Sequence, residues 1–334
     1  WYSEPDEDKV FEWGLETRIA TFPSSENRDE RVSLYDAWVG LRSRTDRWNL
    51  KLGQMWIREM GGIGSVAGAF GEYRLPGQSS FGKWRFGLFG GLEPEIMDAG
   101  YVDGVTKGGV YAAVDGERGR RHVLGWVMIK NEELTERSVV VFNNFIPVGR
   151  KFFLYEALEY DIQGPGGQGD SQLTYFLTNL RYNPSRVFSI QGMYHRGRSI
   201  NARTITDDIL DGRPIDPERL DGLLFESGRL RVTVRPWRAV RFWASYGRDR
   251  SNDGDEWYPR ADLGFSVNNI GGAGFDFTAS NARSDRGDDS YDMIYASLGK
   301  TFGRKLYISL DYTSSVSTFT YESDNGGTVT VDPE

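Results

Sequence analysis

The stretch VSLYDAWVGLRS, at positions 32–43, decides the fold. In an extended chain, one of its sides is mainly apolar and carries Tyr35, Ala37, Val39 and Leu41. The other side carries Asp36, Trp38, Gly40 and Arg42. The stretch WNLKLGQMW, at positions 48–56, repeats this alternation after a short turn. Because successive side chains of a strand point to opposite faces, the two stretches predict a hairpin with one apolar and one polar face.

The same unit recurs along nearly the whole chain, as two alternating strands joined by a short turn and followed by a longer acidic connection. Short turns fall at 44–47, 147–150, 183–186, 236–238 and 303–304. Longer connections fall at 23–30, 93–103, 131–136, 164–170, 201–220, 249–256, 285–289 and 322–327. Short turns that alternate with longer connections along the chain are typical of barrels that face lipid outside and water inside. We therefore expect an all-β fold, a closed antiparallel transmembrane β-barrel of about 16–18 strands with short periplasmic turns and longer acidic extracellular loops.

The alternation also gives the positions of the strands. They are predicted at 10–22, 31–43, 47–58, 65–75, 83–92, 106–116, 121–131, 136–147, 151–162, 171–183, 186–199, 223–235, 238–249, 257–268, 272–283, 290–302 and 304–320, and Thr328–Val331 begins another. Single-chain bacterial barrels have an even number of strands, so we expect a closing C-terminal strand that is missing from this sequence. A short helix is expected near Thr206–Leu210, and residues 1–334 are expected to form a single transmembrane β-barrel domain.

Composition excludes several other classes of protein. The chain has 334 residues, a formal net charge of −8 and no cysteine. A negative charge disfavours nucleic acid as the main partner, because binding to phosphates needs a basic surface. Without cysteine there is no disulfide and no cysteine-bound zinc. No run of about 18 apolar residues marks a transmembrane helix. The 41 glycines and 14% aromatic residues suit a β protein with tight turns and with aromatic rings at a membrane interface.

The two opening strands also carry a family resemblance. Residues Leu34–Leu41, followed by Leu50–Gln54, resemble the early strands of Gram-negative outer-membrane porins. In that family an acidic residue, Ala, an aromatic residue and Val precede a strand of the form Leu-Lys-x-Gly-Arg/Gln. The resemblance implies an integral protein of the bacterial outer membrane. It implies passive diffusion or facilitated uptake of small hydrophilic solutes, and a homotrimer. No porin constriction-loop motif is found, so no constriction residue follows from the resemblance.

Charged residues on the polar faces are the candidate functional residues. On the predicted lumen side they are Asp36, Arg42, Lys51, Arg229, Arg231, Arg235 and Arg241. Rings of charged side chains sort solutes by charge in pores, and the equally weighted alternative is that these residues only pair across strands. The acidic connection at 93–103 could fold inward and narrow the channel, or stay exposed; its acids are Glu93, Glu95, Asp98 and Asp103.

The sequence indicates no catalytic residue, no metal ligand and no cofactor. His195 lies on a polar face, but no nucleophile stands at the offset that an outer-membrane lipase would use. The acids at 207–211 could hold Ca²⁺ but lack the spacing of a known calcium loop, which favours a solvated loop.

The predicted function is therefore non-enzymatic: an outer-membrane porin that sorts small hydrophilic solutes by size and lumen charge. Two alternatives stay open. One is a non-conducting barrel that anchors or sheathes a partner, as a secretion or electron-conduit component, and the other is an outer-membrane hydrolase. The expected partners are outer-membrane lipid and lipopolysaccharide, small hydrophilic solutes, and either two further copies in a homotrimer or a periplasmic protein, but not nucleic acid.

Overall fold

The structure is a computed structural model, and it describes residues 9–23, 28–95, 100–251, 256–286, 289–303, 306–322 and 328–331. Within these ranges it contains eighteen strands, two α-helices and three short 3-10 segments. No helix in this part of the chain has the length and apolar character needed to cross a membrane.

The strands are β1 Lys9–Pro23, β2 Arg28–Ser43, β3 Trp48–Trp56, β4 Ser65–Arg74, β5 Lys83–Glu95, β6 Gly100–Asp115, β7 Arg121–Asn131, β8 Leu134–Val148, β9 Phe152–Gln163, β10 Gln172–Tyr182, β11 Phe188–Ser199, β12 Leu223–Trp237, β13 Val240–Ser251, β14 Tyr258–Ile270, β15 Phe275–Arg286, β16 Asp289–Phe302, β17 Leu306–Glu322 and β18 Thr328–Val331. The helices are α1 Ala202–Leu210 and α2 Pro217–Asp221, and the 3-10 segments are Arg58–Ile63, Glu117–Gly119 and Pro165–Gly167. Each strand that the alternation predicts is present.

The chain forms two compact units. Unit 1 comprises Trp1–Ile146, Glu156–Phe176 and Arg198–Gly222, and unit 2 comprises Pro147–Tyr155, Leu177–Gly197 and Leu223–Glu334. In unit 1, each strand from β1 to β8 pairs antiparallel with the next. In unit 2, the strands from β12 to β18 do the same. This confirms the predicted all-β antiparallel class, while the single domain and the closing strand stay predictions.

One face of the paired strands carries large apolar side chains that are exposed. In unit 1 the neighbours Trp13, Val39 and Leu52 on β1, β2 and β3 are 69%, 50% and 62% exposed. In unit 2 the paired residues Leu298 and Leu310 on β16 and β17 are 47% and 75% exposed. We call this the outer face of each unit and the opposite one the inner face. The period of two places the charged residues of the same strands on the inner face.

The predicted longer connection at 131–136 is a two-residue turn, because β7 ends at Asn131 and β8 already begins at Leu134. Two strand features also depart from the prediction. The pairing of β1 with β2 skips Tyr35, so a bulge interrupts the alternation there. Strands β5 and β6 continue further than predicted, through Glu95 and from Gly100. Glu93 and Glu95 therefore lie in β5 and Asp103 lies in β6, instead of in a loop, and Asp98 lies outside the described residues.

The connection between β3 and β4 folds back over the inner face of unit 1. Met60, in the 3-10 segment Arg58–Ile63, is 0% exposed. It occupies the space above Gly125 of β7, where a Cβ atom would overlap the Met60 methyl group. The amide of Asn143 on β8 donates to the Glu59 carbonyl at 2.9 Å and fixes the segment from the other side. The inner face of β5 to β7 is thus covered by the chain's own backbone, and a small apolar core lies beneath it.

Candidate functional site

A buried cluster of opposite charges lies on the inner face of unit 1, centred on Arg85 of β5. Arg85 is 4% exposed, and its Nη1 donates to Glu59 Oε1 at 3.0 Å and also to Glu72. Its Nε donates to Asp115 Oδ2 at 2.5 Å. A guanidinium stays charged when buried, so it must be surrounded by carboxylates and hydrogen-bond acceptors. The acids come from the 3-10 segment, β4 and β6, and Arg85 thus ties the inward-folded connection to the strands.

The same acids are satisfied by further donors. Tyr111 donates its hydroxyl to Glu72 Oε2 at 2.5 Å, and Arg74 donates Nε to Glu72 Oε1 at 2.9 Å. Arg121 donates Nε to Asp115 Oδ1 at 3.1 Å. The cluster is balanced in charge, with the cations Arg74, Arg85 and Arg121 and the anions Glu59, Glu72 and Asp115.

A polar cavity of about 380 Å³ opens beside this cluster. Two of the predicted lumen residues, Asp36 and Lys51, line it together with Arg58. The Lys51 ammonium lies 3.5 Å from the ring centroid of Trp38, and the Asp36 Oδ1 accepts from the backbone of Trp56 at 3.1 Å. Within the described residues, neither Lys51 nor Arg58 forms an ion pair. The cavity therefore presents two cations and the Asp36 carboxylate to a solute, and none of the three forms an ion pair within the described residues. Its volume falls within the range of small-molecule sites, about 300–1,000 Å³.

Arg42, the third predicted lumen residue of unit 1, faces the turn between β2 and β3 instead of the cavity. Its Nε donates to Glu12 Oε1 at 2.6 Å, and its Nη1 donates to Asp46. The hydrogen bond from Arg42 holds the pKa of the Asp46 carboxyl below its ordinary value. Asp46 is in the turn, outside the strands, so Arg42 braces this end of the hairpin.

A second charged cluster contains Glu93, one of the predicted constriction acids. The ammonium of Lys107 on β6 lies 2.5 Å from Glu93 Oε2 and donates to the Ser65 carbonyl at 3.1 Å. Lys107 is only 4% exposed. Glu93 therefore compensates a buried cation of the neighbouring strand. Glu95 at the end of β5 and Asp103 on β6 are exposed, and their part in a constriction stays a prediction.

The connection between β11 and β12 contains α1, which begins four residues before the predicted helix. Arg203 of α1 pairs with Glu136, and Asp207 accepts from the Asn131 amide at 2.7 Å. Asp208 pairs with Arg213 at 2.7 Å and with Arg219 at 2.9 Å. Arginines thus compensate Glu136 and Asp208. No group of metal-ligating side chains occurs among the residues that the structure describes.

Arginines line the inner face of unit 2 at β12 and β13. Trp243 lies between two of the predicted lumen residues, with the Cζ atoms of Arg231 and Arg241 at 5.5 Å and 5.3 Å from its ring centroid. Within the described part of the chain neither arginine forms an ion pair, so both keep an uncompensated charge. Arg229 is different, because it pairs with Asp262 and donates to Ser245 at 2.9 Å. Arg235 is exposed near the end of β12.

Several of these residues were not predicted from the sequence. Arg85 and Glu72 alternate with outer apolar residues, so the period of two could have placed them on the inner face. Glu59 lies in a segment without periodicity, and no sequence signal indicates that it turns inward. Glu226 of β12, which is 3% exposed, is another buried acid that the sequence analysis did not single out. It accepts from Tyr194 at 2.7 Å and from Arg250 at 2.9 Å, and both partners lie on other strands.

Comparisons with known proteins give limited information. No protein-family model matches the sequence, and a comparison with curated proteins gives no match. The chain is similar to the crystal structure of Pseudomonas aeruginosa OccK8 (OprE), with 13% identity and a TM-score of 0.34 over 98% of this chain and 95% of that one. It is also similar to Pseudomonas aeruginosa OccK10 (OpdN), with 11% identity and a TM-score of 0.38 over 93% and 92% of the two chains. Both TM-scores lie below 0.5, so neither similarity establishes a function.

Proposed function

We propose that the chain is an integral β-barrel of the bacterial outer membrane that acts as a non-enzymatic channel for small hydrophilic solutes. The outer face supports this proposal most strongly. Its large apolar side chains, such as Leu88 at 64% and Leu263 at 60% exposure, recur on strand after strand in both units. Soluble proteins rarely expose contiguous apolar surface of this kind, whereas a membrane barrel needs it.

The inner faces support a route for polar solutes. Cations that form no ion pair within the described residues stand there at Arg231 and Arg241 in unit 2, and Lys51 and Arg58 in unit 1 share their cavity with the Asp36 carboxylate. A water-filled passage lined by such groups favours anions over cations of the same size. Solutes would be sorted by size, where the segment Arg58–Ile63 narrows the inner side of unit 1, and by charge along these residues.

Single-channel conductance in planar bilayers tests the proposal, with a salt gradient to give the anion-to-cation permeability ratio. A unit charge about 8 Å from an ion in a water-like medium contributes about 0.5 kcal/mol. The charge favours an anion and disfavours a cation by this amount each, so Arg241→Gln should change the ratio by about 1 kcal/mol and lower it roughly fivefold. Arg248→Gln is the matched control, since Arg248 is on the same strand but on the outer face, where it donates to Tyr246 at 3.1 Å; the ratio should not change.

Absence of conductance from a correctly inserted protein would contradict the channel. The second candidate function would then be a non-conducting barrel that anchors or sheathes a periplasmic partner. The specific observation in its favour is the coverage of the inner face of unit 1 by the segment around Met60. Co-purification with a periplasmic protein, or a trimer seen by mass measurement in detergent, would identify the proposed partners.

A further inference from the structure

The outer face of unit 2 contains a pocket of about 460 Å³ where β12 begins and β13 ends. Its lining includes Leu230, Tyr246, Arg248, Gly228 and Trp257. The strand pairing places Tyr246 opposite Leu230 and Arg248 opposite Gly228, so these four residues share the outer face. Leu230 and Tyr246 are exposed and belong to the apolar band of that face. Arg248 is two residues nearer to the end of β13, so its positive charge lies at the margin of the apolar band.

Two further arginines lie at this end of the outer face. Arg250 follows Arg248 with the period of two, and its Cζ atom lies 5.2 Å from the ring centroid of Trp257. Arg196 of β11 lies 3.5 Å from Glu226, and Arg250 donates to the same carboxylate at 2.9 Å. Because Glu226 is buried, it holds both arginines in place beside the pocket.

The charges at this end do not balance within the described residues. Glu226 can compensate only one of its two arginines. Arg248 forms no ion pair in this part of the chain, and its Nε donates to the Tyr246 hydroxyl at 3.1 Å. The Nε of Arg196 is buried without a hydrogen-bond partner among the described residues. Glu256 adds one exposed carboxylate. A surplus of positive charge therefore lies beside a lipid-facing apolar surface, where an anionic headgroup is stabilised.

We propose that this pocket binds lipopolysaccharide, with a phosphate of its lipid A part beside Arg248 and an acyl chain along Leu230 and Tyr246. Guanidinium groups bind phosphate oxygens through paired hydrogen bonds. Aromatic rings such as those of Tyr246 and Trp257 settle at the level of lipid headgroups. The pocket thus has partners for both the charged and the apolar part of the lipid.

This inference rests on the proposed integration into the outer membrane. In that orientation the long connections face the outside of the cell. The ends of β12 and β13 that form the pocket lead to two such connections, so the arginines lie at the level of the outer leaflet, whose lipid is lipopolysaccharide. The site does not depend on whether the barrel conducts.

Native mass spectrometry of the folded protein in detergent micelles tests the site. Lipid A with both phosphates competes with the same lipid A after removal of its phosphates. EDTA is present, because a divalent cation could otherwise link a phosphate to Glu256 or to Asp253 and Asp255, which lie outside the described residues. The wild-type chain should retain the phosphorylated form several-fold more. Arg248→Gln should lose most of this preference, because the phosphate loses its unpaired guanidinium.

Arg283→Gln is the matched control. Arg283 is exposed on the outer face of β15, and the strand pairing places it in line with Tyr246. Unlike Arg248 it has acids beside it, with Asp285 at 3.9 Å and Asp292 opposite on β16. Because no positive surplus exists there, Arg283→Gln should keep the wild-type preference for the phosphorylated form.

Filling the pocket gives the second arm. A Cβ atom at Gly228 would have only Tyr194 Cδ2 within 4 Å, at 3.9 Å, so Gly228→Leu can extend into the pocket without a clash at its Cβ atom. It should lower the retention of both forms of lipid A several-fold. Ala296→Leu, on the outer face of β16 opposite Tyr312, is the matched control and should retain lipid as the wild-type chain does.

The outcomes separate this inference from the channel function. Three results would overturn the lipopolysaccharide site even if the protein conducts: equal retention of both forms by the wild-type chain, the same preference in Arg248→Gln and Arg283→Gln, or displacement of lipid A by an equal amount of phosphatidylglycerol. Selective retention by a protein that inserts but never conducts would support the site and overturn the channel. Arg248 lies on the outer face, so its substitution leaves the residues that line the proposed passage unchanged.

Discussion

Arg85 and Arg74 both donate to Glu72, but their surroundings differ. Arg85 is 4% exposed, whereas the Arg74 side chain is 42% exposed. Removing a buried cation leaves carboxylates without compensation and costs about 3–5 kcal/mol, whereas an exposed ion pair contributes about 0–1 kcal/mol. Arg85→Gln should lower the free energy of unfolding by about 3–5 kcal/mol and Arg74→Gln by less than about 1 kcal/mol, as measured by urea titration of the protein in lipid vesicles.

A double substitution controls for simple loss of packing. If the uncompensated charge causes the loss, Arg85→Gln combined with Glu72→Gln should cost less than the sum of the two single substitutions. Strict additivity, or equal losses for the two arginines, would show that the cluster does not act as a buried electrostatic unit.

For a single residue, the sequence predicts on which face of the sheet its side chain lies, but not which side chain of a neighbouring strand it contacts. The period of two places Asp36 and Lys51 on one face, and the structure brings both to the same cavity. Alternation within a strand does not show which side chain lies opposite on the next strand. Arg229 and Arg231 share one pattern in the sequence, yet within the described residues only Arg229 forms an ion pair. The register places Arg231, Ser245 and Asp262 in line across β12, β13 and β14, and Arg229 reaches Asp262 diagonally.

Among the connecting elements, the segment between β3 and β4 contains a glycine that its backbone conformation requires. Gly61 has φ 58° and ψ −134°, a conformation that residues with a Cβ atom rarely adopt, and Gly62 beside it has no positive φ. A Cβ atom at either position would meet no atom within 4 Å. Gly61→Ala should therefore destabilise the protein by about 1–3 kcal/mol through backbone strain alone, as measured by the same urea titration.

Gly62→Ala is the control for this element, because it adds the same methyl group in equally open space. It should change the free energy of unfolding by less than about 1 kcal/mol. Any change should be an increase, because alanine leaves the unfolded chain fewer conformations than glycine does. If both alanine variants behave alike, the inward fold of the segment does not depend on the conformation of Gly61.

Strands were predictable because each has one face of mainly apolar side chains, which leaves a period-two pattern in the sequence. The segment Arg58–Ile63 has no such pattern, and its burial comes from contacts with β7 and β8 that lie far away in the chain. The ends of β5 and β6 were missed for another reason. Pro94 and the flanking acids have low strand propensity, but pairing with Tyr101 and Gly100 extends the hairpin past a register shift.

For the molecule as a whole, charge differs between the two ends of the strands in unit 1. The exposed cations Arg44 and Arg47 lie in the turn between β2 and β3, and Lys83 begins β5 at the same end of the strands. Exposed acids such as Glu132 and Glu133 lie at the opposite ends. This difference agrees with a fixed orientation in the membrane, because basic residues beside anionic phospholipid are favourable.

The absence of cysteine allows this orientation to be measured directly. Glu117 precedes β7 and Glu133 follows it, and both are exposed. The eleven residues of β7 span roughly 35 Å, enough to cross a bilayer core even with tilt. In intact cells, a membrane-impermeant maleimide should label Glu133→Cys and leave Glu117→Cys unlabelled until the outer membrane is opened. Labelling of only Glu117→Cys would reverse the proposed orientation, and labelling of both in intact cells would show that β7 does not cross the membrane.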